Sequence, residues 1–306
     1  MSESTASFPV PELEARARRC ADALRDADDV LLASHIDADG LTSAGVASQA
    51  LSRAGIDHET RFENQLGPEE IEAIADTGYD TVLFTDFGSG QLDEITEYDF
   101  TPVVADHHQP ADVDIDYHLN PLLEGVDGGS ELSGAGAAYV LARALGGSEN
   151  RDLAALAVVG AVGDMQTEGG ELVGANTVVA KEGVEAGVLD TARGLAVYGV
   201  QTRPLPKLLA YASDVHIAGI TNDRQGAVRF LAGLDIDLKR DGEWPTWAEL
   251  TVEEKQTVAS ALIRRAIRNG VDTDEVEDLV GTTYTLVEET PGTEVRDASE
   301  FSTLLN

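Results

Sequence analysis

Three short clusters of carboxylates and imidazoles, each directly after a short apolar run, limit what this chain can fold into. The clusters lie at residues 34–40, 85–87 and 105–109. The apolar runs before them are typical of buried parallel strands. In open α/β sheets, functional side chains gather at the carboxyl ends of the strands. The sequence therefore predicts that the three clusters converge on one edge of one sheet.

A fourth acidic residue extends this pattern. Asp164 follows the apolar segment 156–163, in which glycines allow close approach of the backbone. An Asp in that position is more often a helix cap or a turn residue. Together with the three clusters, however, it would supply the remaining ligand of a two-metal site. Carboxylates and imidazoles without thiolates suit a divalent ion such as Mn²⁺ or Mg²⁺.

The pattern of apolar residues also predicts the fold. Strands are predicted near residues 29–34, 57–62, 80–85 and 102–105, and helices near 11–27, 41–54, 67–76, 133–145 and 151–161. This alternation predicts an α/β fold with a doubly wound, mostly parallel sheet flanked by helices. We expect this core, with its N-terminal helix, over residues 1–165. A mainly helical extension is expected over 166–306, with its clearest helix at 251–269.

The clusters resemble the motifs of the DHH phosphoesterases. That family carries a His-x-Asp-x-Asp-Gly motif, matched by residues 35–40, and a strand-end Asp, matched by Asp86. Its Asp-His-His run is matched by residues 106–108, and its later Gly-Asp by 163–164. All four motifs occur in order, so the resemblance is specific.

Within that family the chain looks most similar to archaeal RecJ-like single-strand exonucleases. These include a replisome-associated nuclease related to a subunit of the eukaryotic replicative helicase. The similarity rests on residues 118–121, 132–136, 202–205 and 296–301. It extends over roughly residues 28–306.

The resemblance implies two metal ions, with Mn²⁺ expected first and Mg²⁺ as the alternative. The implied ligands are His35, Asp37 and Asp86 for one ion, and Asp39, Asp86, His107 and Asp164 for the other. Asp86 would bridge the two ions. His108 would lie beside the scissile phosphate. Asp106 is either a catalytic, metal-binding carboxylate or a group that orients an imidazole.

Two further features are candidate substrate contacts. Ser133 and Gly134 open a helix whose N-terminus could bind a phosphate, although they could equally do no more than begin the helix. Arg203 could bind a phosphate as well, but an arginine beside prolines is often structural.

The implied function is a metal-dependent phosphodiesterase that degrades single-stranded DNA or RNA from an end and releases mononucleotides. Two alternatives stay open: a replisome scaffold that binds proteins of the GINS type, and a phosphoesterase for small molecules or short oligonucleotides. Members of this type carry a second, smaller substrate-binding domain that is not seen before Asn306. We expect either a shortened chain or a single-lobed member.

Charge and composition bear on the partners. The chain has 56 acidic and 21 basic residues, a net charge of −35, with an ordinary hydrophobic content of 42%. Such a surface indicates a folded, salt-adapted protein and predicts a halophilic source. Nucleic-acid-binding proteins usually carry a basic surface, so the bulk charge argues weakly against such a partner.

Other features predict a cytoplasmic protein. Cys20 is the single cysteine, which excludes an internal disulfide and suits a reducing compartment. The first residues show no signal peptide, and the longest apolar stretch is too short to span a bilayer. No membrane association is expected.

Overall fold

The computed structural model describes residues 8–212, 215–272, 276 and 279–306. The chain forms two compact units. One runs to Thr167 and also takes in Leu172–Leu189 and Leu305–Asn306, and the other comprises Glu168–Glu171 and Asp190–Leu304. Part of the first unit therefore lies beyond residue 165, where the sequence placed the end of the core. The domain division at that residue stays a prediction.

The first unit is built on a five-stranded sheet. Its strands are β1 (Val30–His35), β2 (His58–Glu63), β3 (Thr81–Thr85), β4 (Thr101–Ala105) and β5 (His118–Leu119). They lie in the order β2-β1-β3-β4-β5, and every neighbouring pair is parallel. The predicted fold class is thus confirmed. The parallel arrangement brings the carboxyl ends of β1, β3 and β4 to the same edge.

Helices surround this sheet. They are α1 (Glu14–Asp26), α2 (Ala38–Ala54), α3 (Pro68–Ala75), α4 (Leu92–Ile95), α5 (Gly134–Gly146), α6 (Ala154–Gly163) and α7 (Gly174–Ala186). The helices α2, α5 and α6 pack closely on one another. On the sheet, Phe84 of β3 packs with Phe87 and Phe100 in an apolar core.

The helix α2 begins at Ala38, three residues before the predicted start at residue 41. Asp37 caps the helix, because its Oδ1 accepts a hydrogen bond from the N–H of Gly40 at 2.9 Å. A Cβ on Gly40 would lie 2.3 Å from the carbonyl oxygen of His35. The absence of a side chain at Gly40 therefore allows the start of α2 to lie close to the end of β1.

The later part of the chain contains helices and short strands. The helices are α8 (Leu205–Tyr211), α9 (Arg224–Ala232), α10 (Val252–Arg268) and α11 (Ala298–Leu305). The strands are β6 (Thr167–Glu168), β7 (Glu171–Leu172), β8 (Leu189–Leu195) and β9 (Val280–Leu286), paired as β6-β7 and β8-β9. The helical character was predicted, but β8 and β9 were not. Among the helices that the structure describes, none is long and apolar enough to cross a membrane.

Candidate metal centre

The candidate residues meet where β1, β3 and β4 end. Asp37 caps α2 and Asp39 lies in its first turn. Asp86 directly follows β3, and Asp106 directly follows β4. Asp164 reaches the same place from the carboxyl end of α6. Their potential ligand atoms form groups within 4.8 Å of one another, and two of these groups are His35–Asp37–Asp86 and Asp39–His107–Asp164.

The first group is centred on the imidazole of His35. Its Nδ1 lies 2.9 Å from Oδ2 of Asp37 and 3.8 Å from Oδ2 of Asp86. Its Nε2 lies 3.0 Å from the carbonyl oxygen of Asn64. Because a carbonyl only accepts hydrogen bonds, we place a proton on Nε2. In the neutral ring, the lone pair of Nδ1 then faces the two carboxylates, as a metal ligand would.

The second group is centred on His107, which is only 7% exposed. Its Nδ1 lies 2.6 Å from the carbonyl oxygen of Gly128, so Nδ1 is the donor there. Its Nε2 lies 3.2 Å from Oδ1 of Asp86 and 3.7 Å from Oδ2 of Asp39. Asp164 stands 3.8 Å from the ring. A histidine oriented by a carbonyl on one nitrogen and open on the other is typical of a metal ligand.

Asp86 lies near the histidines of both groups, and its surroundings disfavour a charged carboxylate. Its side chain is 2% exposed, and its Oδ1 has no hydrogen-bond partner among the described residues. Burial raises the pKa of this carboxyl well above its usual range, and the neighbouring Asp39 and Asp106 raise it further. Its backbone φ is +60°, a conformation that costs a non-glycine residue energy. A cation would neutralise this crowded negative charge, so the donor set fits divalent metal ions.

Asp106 is fully buried and saturated with hydrogen bonds. Its Oδ1 accepts from the backbone N–H groups of His107 and His108 and from Nδ1 of His108, at 2.7, 3.1 and 2.8 Å. Its Oδ2 accepts from the N–H of Ser89 at 3.0 Å. Burial opposes ionisation, but the hydrogen bond from His108 and the nearby imidazoles outweigh it and lower the pKa of Asp106 below its usual range. These contacts favour the orienting role over metal ligation.

His108 differs sharply from its neighbour. Its side chain is 56% exposed and borders a cavity of about 590 Å³. The hydrogen bond to Asp106 raises the pKa of His108, although partial burial opposes it. With Nδ1 bound to Asp106, Nε2 is the nitrogen available to a substrate.

The N-terminus of α5 contacts a carboxylate of the centre. Its N–H groups at Gly134 and Ala135 donate to the two oxygens of Asp39 at 2.6 and 2.9 Å. Ser133 caps the helix, because its Oγ accepts from the N–H of Gly136. These N–H groups are engaged within the protein, which favours the alternative that Ser133 and Gly134 only begin the helix. Phosphate binding by Ser133 and Gly134 stays a prediction. The helix end stabilises the carboxylate of Asp39.

Gly134 nevertheless matters for the centre. A Cβ at this position would lie 2.3 Å from Oδ1 of Asp86 and 2.8 Å from its Cβ and Cγ. Gly160 packs against Asp39 in the same way, since a Cβ on Gly160 would lie 2.4 Å from Oδ1 of Asp39. Both glycines allow a helix backbone to pack directly against a buried carboxylate.

Two sets of supporting side chains were not found from the sequence. Gln166 donates to Oδ2 of Asp164 and to the carbonyl of Gly128, both at 2.8 Å, and its own Oε1 accepts from Asn176 at 2.7 Å. On the other side, Asn120 donates to the Oγ of Ser89 and to the carbonyl of His108. Asn120 belongs to the stretch 118–121 that carries the resemblance, and Gln166 comes two residues after the Gly-Asp motif. Nothing in the local pattern indicated these contacts.

Arg203 lies in the second unit. Its guanidinium carbon stands 4.4 Å from the ring centroid of Tyr198 and 5.8 Å from that of Tyr211. This geometry is that of a cation–π contact. The phosphate-binding role of Arg203 stays a prediction.

Comparison with known proteins identifies two family domains. The DHH family N-terminal domain matches residues 29–161, and the DHH-CID domain matches residues 197–280. An uncharacterized protein of Methanocaldococcus jannaschii is 31% identical over 282 residues, which cover 89% of this chain and 59% of that protein. The single-stranded-DNA-specific exonuclease RecJ of Bacillus subtilis is 28% identical over 170 residues, 52% of this chain and 22% of that enzyme.

A solved structure shares the fold over most of the chain. The crystal structure of CDC45 from Entamoeba histolytica has a TM-score of 0.66 at 13% identity and covers 94% of this chain and 62% of that one. At this identity the likeness concerns the fold alone. The chain spans about three fifths of the length of its archaeal relative and about a fifth of RecJ.

Proposed function

Because the chain belongs to the DHH family of phosphoesterases, with similarity to RecJ, we propose that it is a metal-dependent phosphodiesterase that removes mononucleotides from an end of single-stranded DNA or RNA. One observation carries this proposal. The buried Asp86, whose Oδ1 has no hydrogen-bond partner in the described part of the chain, lies near the imidazoles of both His35 and His107, which belong to two groups of metal-capable side chains.

The residues divide into two sets of ligands. His35, Asp37 and Asp86 would bind one ion, and Asp39, Asp86, His107 and Asp164 the other. Divalent ions such as Mn²⁺ or Mg²⁺ supply the Lewis acidity that phosphodiester hydrolysis needs. The complete set of ligands supports hydrolysis, because a pure scaffold has no use for it.

The chain's own residues prepare the site for a phosphate. Asp106 orients His108 and favours its protonated form, so His108 can donate a hydrogen bond or a proton from Nε2 to a phosphate oxygen. Gly128 and Gln166 fix the ring of His107 and the carboxylate of Asp164. No side chain is required to form a covalent intermediate.

Two other functions remain as outcomes of the test. A binding subunit of a replisome, with partners of the GINS type, would bind metal without turnover. A phosphoesterase for small molecules would act on pyrophosphate or cyclic dinucleotides and leave longer strands intact.

The test is the digestion of end-labelled single-stranded DNA and RNA with Mn²⁺ or Mg²⁺ in high salt. We expect mononucleotide release by the natural chain and by Asp112→Asn, an exposed carboxylate outside the centre. Asp86→Asn should release less than about a hundredth as much, as expected for loss of a transition-state contact. Metal binding in calorimetry without release of nucleotides from any strand would overturn the proposal.

A further inference from the structure

The cavity beside His108 has an unusual lining. It measures about 590 Å³, within the range of roughly 300–1,000 Å³ that is typical of small-molecule sites. Its lining includes five residues of the metal centre, namely His35, Asp37, Asp86, Asp106 and His108. The rest of the lining consists of four amide residues, Asn64, Gln65, Gln91 and Gln109, together with Leu66, Phe87 and two glycines.

The four amide side chains are available to a ligand. None of them makes a side-chain hydrogen bond to another residue that the structure describes, whereas Asn120, Asn176 and Gln166 nearby are all engaged within the protein. Three of the chain's eight glutamines line this one cavity. An amide offers both donors and an acceptor, as the edges of nucleobases do.

The cavity lining outside the metal centre carries no charged side chain, and this also indicates what the cavity can bind. A quarter of the chain's residues are charged, yet outside the metal centre the residues that line the cavity include no Lys, Arg, Asp or Glu. A second phosphate or a pyrophosphate would require cationic partners. A neutral, planar group with hydrogen-bonding edges requires none, and the apolar surfaces of Leu66 and Phe87 suit it.

We propose that this cavity binds the nucleoside of the terminal nucleotide, with the amides contacting its base while its phosphate lies at the metal centre. The inference rests on the proposed function and deepens it. It names a nucleoside, rather than a second phosphate, as the group recognised beside the scissile bond. Base contacts by several amides predict acceptance of more than one base.

The first test is equilibrium binding by calorimetry with Mn²⁺ present. The probes are nucleoside 5′- and 3′-monophosphates, ribose 5-phosphate, which lacks the base, and inorganic pyrophosphate. We expect at least one nucleotide to bind about tenfold more tightly than ribose 5-phosphate and pyrophosphate. Gln91→Leu and Gln109→Leu should each weaken nucleotide binding by about two- to tenfold, as for one lost hydrogen bond. They should leave ribose 5-phosphate unaffected.

The matched control is Gln49→Leu, which replaces an exposed glutamine of α2 outside the cavity. It should change no affinity. Equal binding of nucleotides and ribose 5-phosphate would overturn the inference, and so would tighter binding of pyrophosphate.

A second measurement separates this inference from the proposed function. The Mn²⁺ affinity in calorimetry should be the same in the natural chain and in both glutamine variants, because neither glutamine is a proposed metal ligand. A loss of Mn²⁺ affinity as large as the loss of nucleotide affinity would show that the amides act through the metal centre, against the inference. If no diester is hydrolysed, the proposed function fails, while the binding preference still decides what the cavity recognises.

Discussion

At the scale of single residues, two adjacent histidines have opposite surroundings. His107 is buried, donates from Nδ1 to Gly128 and presents Nε2 to carboxylates. His108 is largely exposed and uses its Nδ1 to bind Asp106. Adjacent side chains in an extended segment point in different directions. One imidazole can therefore bind a metal ion while the next contacts a substrate.

We predict that the two histidines can be separated by substitution. His107→Ala should lose one of two bound Mn²⁺ ions in elemental analysis, because it removes a ligand nitrogen. His108→Ala should keep both ions and slow hydrolysis by roughly 10²-fold or more, as expected for loss of a transition-state donor. Equal metal loss in the two variants would contradict this division.

A third histidine should control stability in acid. Burial lowers the pKa of His118 to about 4, and its Nε2 is bound to Ser89 at 2.9 Å. In the unfolded chain the pKa is about 6.5, so between these values the unfolded state binds the proton more readily. The stability contributed by neutral His118 is therefore full above about pH 6.5 and is lost as pH falls through about 4.

Urea unfolding of the metal-free protein at pH 7.5 and pH 4.5 measures this loss. The free energy of unfolding should fall between pH 7.5 and pH 4.5. The fall should be about 2–3 kcal/mol smaller in His118→Gln than in the natural chain. His216→Gln, which changes an exposed histidine, should follow the natural chain. Parallel losses in all three proteins would show that His118 does not set the acid sensitivity.

At the scale of elements, the sequence predicted the strands whose ends carry the centre, because β1, β3 and β4 are apolar runs followed by polar clusters. It missed β8, whose middle residues are exposed, and β5, which has only two residues. The supporting contacts of Gln166 and Ser89 were also missed. Apart from the bond between Gln166 and Asp164, which are two residues apart, they join residues distant in the chain, and no local pattern encodes such hydrogen bonds.

The close packing of α5 against Asp86, which follows β3, can be tested by substitution. Gly134→Ala would place a methyl group against Oδ1 of Asp86 and should displace the shared carboxylate without removing any ligand. We expect Mn²⁺ affinity to fall by about 10- to 100-fold, the usual effect of disturbing a ligand's support. Calorimetric titration with Mn²⁺ measures it.

Gly45→Ala is the matched control within α2, because its Cβ would make only an ordinary contact of 3.4 Å with Leu156. It should stabilise the helix by about 0.5–1 kcal/mol and leave Mn²⁺ affinity unchanged. Unaltered affinity in Gly134→Ala would show that Asp86 moves freely and that the close packing is unimportant.

At the scale of the whole molecule, the net charge of −35 acts against a polyanionic substrate. Metal ions bound at the proposed centre would attract a phosphate locally, but a surface of this charge would repel a long strand at low ionic strength. This repulsion extends over about 30 Å at 0.01 M salt and only about 3 Å at 1 M. The predicted halophilic source would match such a balance, since high salt would remove the repulsion.

We therefore predict that kcat/KM for long single strands rises with KCl over some range. Basic nucleic-acid binders show the opposite, because salt weakens their counterion-driven binding. Bis(4-nitrophenyl) phosphate carries a single charge, so its hydrolysis should change much less and reports on the chemistry itself. Salt-dependent folding of an acidic protein would raise both activities together, and circular dichroism at each salt concentration identifies that case. A monotonic fall for long strands from low to molar KCl, with the fold intact throughout, would refute the prediction.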